Sequence, residues 1–181
     1  QTCALPISDD PRIVAAIARF GGAACLTSPA HRTGTDRVAE VAATLNCDIV
    51  VNLQGDEPLI EPAMIAELLA PFDTDASVQM STLRRAIDDP AELTDPHLVK
   101  VVVDQRGDAL YFSRAPIPGS RDGGARTGPA WKHIGIYAFR RDFLLTFSRL
   151  PQTPLEVAES LEQLRVLEHG YRIRTVATDY D

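Results

Sequence analysis

The sequence predicts an α/β domain, a mixed, mainly parallel sheet with flanking helices. The run Ile49-Val50-Val51 is β-branched and uninterrupted by polar residues, which suits a strand covered on both faces. Helical periods alternate with further apolar runs on either side of it, the pattern of strands linked by helices. The run then breaks at Gln54-Gly55, and Asp56 and Glu57 follow before Pro58. In open α/β sheets the carboxyl ends of the strands form the rim where ligands bind.

In chain order, Gln1 to Ser8 shows no usable pattern, and the absence of a starting Met suggests a chain that begins inside a longer one. Asp9-Asp10-Pro11 opens a helix, with an Asp cap and Pro at the first helical position. Ile13, Val14, Ile17 and Phe20 share one of its faces, and Gly21-Gly22 ends it. Ala23 to Thr27 reads as a short strand. A polar loop, 28–37, then leads into an amphipathic helix carrying Val38, Val41, Ala42 and Leu45. After Pro58, Pro62 starts a helix with Ile65, Leu68 and Leu69 inward, and Pro71 is expected to stop it. Ser77 to Leu83 alternates weakly, as a strand does. Asp88-Asp89-Pro90 and Asp95-Pro96 punctuate a loop. His97 to Val103 and Ala109 to Arg114 form the arms of a hairpin around Asp104 to Asp108. Pro116 to Ala130, rich in Gly, Pro and Arg, reads as a mobile or partner-ordered loop. Trp131 to Phe139 is a strand and Arg141 to Leu150 a short helix. Thr153-Pro154-Leu155-Glu156 is a capping box, and its helix is expected to run to His169 before Gly170. Tyr171 to Thr178 is the final strand.

The chain has 181 residues, enough for one sizeable core, and its composition is that of an ordinary soluble globular protein. A net charge of −7 argues against general nucleic-acid or anionic-membrane binding. An anionic small substrate then needs local positive charge. Cys3, Cys25 and Cys47 are far apart and odd in number, which suggests neither a disulfide framework nor zinc. They read as small buried hydrophobes in a reducing, cytoplasmic setting. No apolar run approaches membrane-spanning length.

Five stretches carry candidate chemistry. Asp56 at a strand end is well placed to hold Mg²⁺, although a solvated turn before a helix reads about as well. Thr33-Gly34-Thr35-Asp36-Arg37 offers hydroxyls, bare backbone and a guanidinium to a base edge or phosphate, or else is a helix cap with a surface Arg. Arg114 ends Tyr111-Phe112-Ser113 and has the fork to clamp a carboxylate. His133, Gly135 and Tyr137 share one strand face, with room for a ligand at the Gly. On the helix opened by Thr153, Glu156, Glu159 and Gln163 fall in one polar arc that Glu162 borders. That arc presents acceptors to sugar hydroxyls, or is simply a wet helix face. No Ser-His-Asp spacing, metal-ligating His pair or G-x-x-x-x-G-K-[ST] loop is present.

Taken in register, several blocks resemble one family. They are Thr33-Gly34-Thr35-Asp36-Arg37, Val51-Asn52-Leu53-Gln54-Gly55-Asp56-Glu57-Pro58, Val99-Lys100-Val101-Val102, Ala109 to Ala115, His133-Ile134-Gly135-Ile136-Tyr137 and Leu161-Glu162-Gln163-Leu164-Arg165. In this order they are similar to the 3-deoxy-manno-octulosonate (KDO) cytidylyltransferases, or CMP-KDO synthetases, over nearly all of the chain from Asp9. The resemblance implies the nucleotide-diphospho-sugar transferase, glycosyltransferase-A-like fold. It implies cytidylyl transfer from CTP to KDO with Mg²⁺, giving CMP-KDO and pyrophosphate, by a cytoplasmic homodimer serving lipopolysaccharide synthesis. By the same resemblance Thr33, Gly34 and Arg37 face cytosine, and Gln54 and Asp56 lie where nucleotide meets sugar, with Asp56 catalytic and on the metal. Gln54, Arg114, His133, Tyr137, Glu159, Glu162 and Gln163 surround the sugar, and the 116–130 loop lies at the dimer contact.

The family pattern also includes a basic, glycine-containing phosphate loop at its start and a second metal aspartate near its end, and neither is matched here. Residues 1–8 are therefore expected to be a non-matching start and 9–181 a single, partial cytidylyltransferase domain. The first sheet position is expected to be unfilled, and the 181-residue piece to be inactive or nearly so. The rival readings are a cytidylyltransferase for another acidic sugar, such as a sialic acid or amino-KDO, and a non-catalytic nucleotide-binding module.

Overall fold

A computed structural model describes residues 4–55, 60–119 and 128–180. Strands β1 (Ile7–Ser8) and β2 (Cys25–Leu26) pair in parallel as a small separate sheet, joined by helix α1 (Pro11–Arg19). Asp10 caps α1 by accepting from the Arg12 amide. Helix α2 (Gly34–Thr44) leads to β3 (Ile49–Asn52), and α3 (Pro62–Thr74) to β4 (Met80–Ala86). After a short α4 (Pro90–Thr94), the chain forms the hairpin β5 (Lys100–Val103) and β6 (Ala109–Ser113). Gly107 takes a φ of +84° in its turn, where a Cβ would sit 3.2 Å from the Thr175 carbonyl oxygen. Then follow β7 (Trp131–Arg140), α5 (Arg141–Phe147), α6 (Pro154–Glu159), α7 (Gln163–Glu168) and β8 (Arg174–Ala177).

Among the described residues the main sheet runs β6-β5-β7-β4-β8, with β3 also paired to β7. β3, β4, β5 and β8 point one way, and β6 and β7 the other. The sheet is thus mixed, with most strands codirectional and the long β7 running against its neighbours. Helices cover both faces. Ile136 and Ala138 of β7 face Met64 and Leu68 of α3. Phe139 faces Phe143 and Phe147 of α5, with Leu164 of α7 in the same cluster. Each fully buried Ile, Leu, Met or Phe among them contributes about 1.5–3 kcal/mol.

Several local expectations change. β3 is half-buried throughout rather than covered, because its ladder partner among the described residues is β7 alone. Pro71 lies inside α3 and does not stop it. The helix carries on to Thr74, and the Asp75 amide closes on the Pro71 carbonyl. Asp89-Pro90 opens the short α4 instead of marking only a loop, with Asp89 capping the Ala91 amide. No residue of α1 is buried, and Phe20 is 91% exposed. Cys25 and Cys47 are free thiols and half-buried, not core residues; Cys3 lies outside the described residues. No described helix is long and apolar enough to cross a membrane.

The largest correction is the helix predicted over 153–169. It is two helices, α6 and α7, separated by Ser160 in the left-handed region at φ 53°. The cause is a buried ion pair. Arg165 Nε donates to Glu156 Oε2 at 2.8 Å, and Nη2 donates to Oε1. In one continuous helix, residues nine apart lie about 13.5 Å along the axis and on opposite faces. The pair therefore forms only if the chain turns between them.

Candidate active site

Among the described residues, Gln54 after β3 reaches the Gly135 carbonyl of β7, Thr35 of α2 reaches Glu162 just before α7, and Arg114 after β6 reaches Glu159 of α6. Thr33 caps α2, its hydroxyl accepting from the Asp36 amide. Gly34 opens that helix with nothing within 4 Å of where a Cβ would sit. Thr35, one step on, donates to Glu162 Oε2 at 2.7 Å. The other oxygen of Glu162 is buried with no hydrogen-bond partner among the described residues; Arg165 Nη2 stands 3.7 Å away. Burial pushes the Glu162 carboxyl up, against the opposing pull of Thr35, Thr33 and Arg165. Gln163, at the start of α7, is buried.

β7 supplies His133 and Tyr137, whose rings lie 5.4 Å apart. A bulge opposite Thr82/Leu83 of β4 interrupts the ladder between them. Phe112 meets His133 edge-on at 5.0 Å. Burial raises the Tyr137 hydroxyl far above its ordinary range, and Glu162 adds to the effect. Gln54 follows β3, is exposed, and donates from Nε2 to the Gly135 carbonyl at 2.9 Å.

His133 Nε2 lies 2.8 Å from Thr82 Oγ1, which also lies 2.8 Å from the Ile136 carbonyl oxygen and 3.2 Å from that of Ile134. Carbonyls only accept, so the one hydroxyl proton serves them and His133 donates from Nε2. Nδ1 is then the acceptor nitrogen. Nitrogen chemical shifts of the imidazole are expected to report the Nε2–H tautomer; a protonated Nδ1 would contradict this hydrogen-bond assignment.

Burial also pushes the His133 pKa from 6.5 down to about 3. The unfolded chain therefore takes up this proton first as pH falls. Its contribution to stability is complete above about pH 6.5 and declines toward pH 3. Carboxylates held low, such as Glu156 with its ordinary value of 4.5, add their loss only below that. Denaturation midpoints are expected to fall between pH 6.5 and 5, and His133→Gln to flatten that slope. An unchanged slope in the variant would contradict the assignment.

Arg114, just past β6, donates from Nε to the Glu159 carbonyl at 3.1 Å and from Nη1 to the Pro96 carbonyl at 3.1 Å. Glu159 accepts from Ser113 Oγ at 2.6 Å, from Tyr111 Oη at 3.4 Å and from the Arg114 amide at 3.0 Å. Burial works to raise the Glu159 carboxyl, but those hydrogen bonds and the Arg114 charge outweigh it and hold the pKa below its ordinary value.

Arg37 is engaged elsewhere than sequence alone suggests. Its guanidinium donates to Asp9 at 2.7 Å, Thr27 at 3.2 Å and the Ser28 carbonyl at 2.8 Å, at the ends of the small sheet. Asp56 lies outside the described residues, as do 120–127 of the predicted dimer loop. Sequence reasoning did not select Thr35, Thr82 or Ser113 as functional. Thr35 stood in a motif already noted. Thr82 and Ser113 are ordinary strand residues that become informative only once their partners are known.

The cytidylyltransferase family model matches residues 7–173. A 3-deoxy-manno-octulosonate cytidylyltransferase of Geobacter metallireducens is 54% identical over 96% of this chain and 72% of its own length. The chain belongs to the 3-deoxy-manno-octulosonate cytidylyltransferase family. A second such relative, from Solibacter usitatus, is 52% identical across 99% of this cytidylyltransferase chain and 71% of its own length. A solved CMP:2-keto-3-deoxy-manno-octonic acid synthetase complexed with CTP superposes with a TM-score of 0.90 at 47% identity, over 96% of this chain and 71% of that one. At 12% identity and a TM-score of 0.56, a Bacillus anthracis glucose-1-phosphate thymidylyltransferase chain shares the fold alone. The architecture of this cytidylyltransferase is that of the nucleotide-diphospho-sugar transferases.

Proposed function

We propose that the chain transfers the cytidylyl group of CTP to the anomeric hydroxyl of KDO, giving CMP-KDO and pyrophosphate. The observation that carries this is 54% identity to a named KDO cytidylyltransferase across 96% of the chain. The reaction is an in-line displacement. A bond forms from the sugar oxygen to the α-phosphorus as the hydroxyl proton is lost to water, the bond to the bridging oxygen breaks, and pyrophosphate departs. The protein's work is positioning and charge neutralisation, with no covalent enzyme intermediate.

Thr33 and Gly34 belong with the base, Arg37 supports the loop before them through the Ser28 carbonyl, and Gln54 and Asp56 belong with the junction of nucleotide and sugar. Arg114, His133, Tyr137, Glu162 and Gln163 belong with KDO. The buried oxygen of Glu162 that accepts no hydrogen bond among the described residues supports its place, because a sugar hydroxyl would satisfy it. Arg114 supplies the positive charge that an acidic sugar needs in a chain of net charge −7.

Asp56 would hold Mg²⁺. Carboxylate and phosphate oxygens are the hard donors that this ion prefers. Among the described residues no group of three or more His, Cys, Asp or Glu could hold a metal. When bound, the ion offsets negative charge between the sugar carboxylate and the phosphates. A cytoplasmic homodimer serving lipopolysaccharide synthesis completes the reading.

Acidic-sugar profiling tests the assignment. With Mg²⁺ and CTP at stoichiometric protein, KDO is expected to elicit pyrophosphate well above N-acetylneuraminate or an amino analogue of KDO. An equal or larger response to either alternative would reassign the sugar.

A further inference from the structure

Lys100 is buried in a way lysines rarely are. It lies in β5 between Val99 and Val101 with 0% of its surface exposed. Among the described residues its ammonium forms no carboxylate hydrogen bond. It donates instead to three main-chain oxygens: Asp95 at 2.7 Å, Leu98 at 2.6 Å and Arg114 at 2.6 Å. Taking a charge out of water is expensive, and three charge-assisted bonds offset that cost only while all are made. On the other side of the Arg114 Cα, in the preceding peptide unit, Glu159 accepts from the Arg114 amide at 3.0 Å.

Arg114 is thus gripped by opposite charges. Lys100 holds its carbonyl, and the Glu159 carboxylate holds its amide. The Glu159 carbonyl also receives Arg114 Nε at 3.1 Å. The Pro96 carbonyl, within the 95–98 segment that Lys100 ties down, receives Nη1 at 3.1 Å. Both oxygens of Glu159 are already taken up by Ser113, Tyr111 and the Arg114 amide, so this carboxylate is poorly suited to meet a sugar.

We propose that Lys100 and Glu159 are positioning residues that clamp the main chain of Arg114 and fix its guanidinium for the carboxylate of the sugar acid. The inference rests on the reading of Arg114 given above. It moves Glu159 from the sugar contacts to the residue behind one of them. It also gives a buried lysine in a valine strand a task beyond packing.

The test compares Lys100→Met, Glu159→Gln and Arg114→Lys in the 181-residue chain. One readout is the nitrogen-detected Nε–H resonance of Arg114, and the other is titration with KDO and, separately, with CTP. In Lys100→Met and Glu159→Gln the Arg114 Nε–H is expected to shift and exchange faster. The Kd for KDO is expected to rise roughly tenfold, the loss of about one charge-assisted hydrogen bond, with the Kd for CTP unchanged. Glu159→Gln, at a half-exposed site, keeps the test decisive should Lys100→Met fail to fold. If Arg114→Lys weakens KDO but neither clamp variant moves the resonance or the KDO affinity, the clamp is overturned. Equal weakening of KDO and CTP in the clamp variants overturns it too, since that indicates a general structural role. If Arg114→Lys leaves KDO binding intact, the reading of Arg114 falls, while the resonance still decides whether the clamp exists.

Discussion

Asp56→Asn is expected to abolish cytidylyl transfer under single-turnover conditions while leaving the unfolding midpoint nearly unchanged. The substitution keeps the side chain's size and removes its charge. A neutral amide is a far poorer ligand for Mg²⁺ than a carboxylate, and transfer between two anionic substrates depends on that charge being offset. The folded state has little stake in it. Gln54 and Gly55, the residues just before it, are exposed, and the clusters around Phe139 and Ile136 are built from other elements. Single-turnover quench measurements beside a denaturation curve check both halves. Normal transfer in the variant would refute the role of Asp56, and a large drop in midpoint would make it a structural residue.

Glu156→Ala is expected to destabilise the protein by about 3–5 kcal/mol, the usual effect of leaving a buried charge without its partner. Glu156 and Arg165 expose only 6% and 8% of their side chains. The pair ties the start of α6 to α7 across the turn at Ser160, and the Phe147 ring lies 5.3 Å beneath the guanidinium. Among the described residues Arg165 would retain one carboxylate partner, Glu162, at 3.7 Å. The double substitution Glu156→Leu/Arg165→Met removes both charges together and is expected to cost much less than the single one. Denaturant melts of the variants measure this. A loss below about 1 kcal/mol in Glu156→Ala would place the pair among weakly coupled surface bridges.

The sequence made some of this legible and hid the rest for physical reasons. The hairpin at 100–113 and the caps at Asp10, Thr33 and Thr153 are local, and turn and cap chemistry announces them. His133 and Tyr137 meet as strand alternation suggests, even across a bulge. The break at Ser160 was not legible, because the pattern from Leu155 to Arg165 suits one helix and only the nonlocal Glu156–Arg165 pair excludes it. The antiparallel course of β7 beside β3 and β4 depends on chain routing, which no local period encodes. Nor does the motif around Lys100 say that its ammonium ends on three carbonyls, or that Arg37 turns to Asp9 and Thr27.

The most direct check is to follow the phosphorus. CTP labelled at its α-phosphate, mixed with KDO, Mg²⁺ and stoichiometric protein, is expected to yield the label on the sugar acid with an equal amount of pyrophosphate. Neither is expected when KDO is omitted. Bound CTP whose label never reaches the sugar, or pyrophosphate released without KDO, would contradict the account.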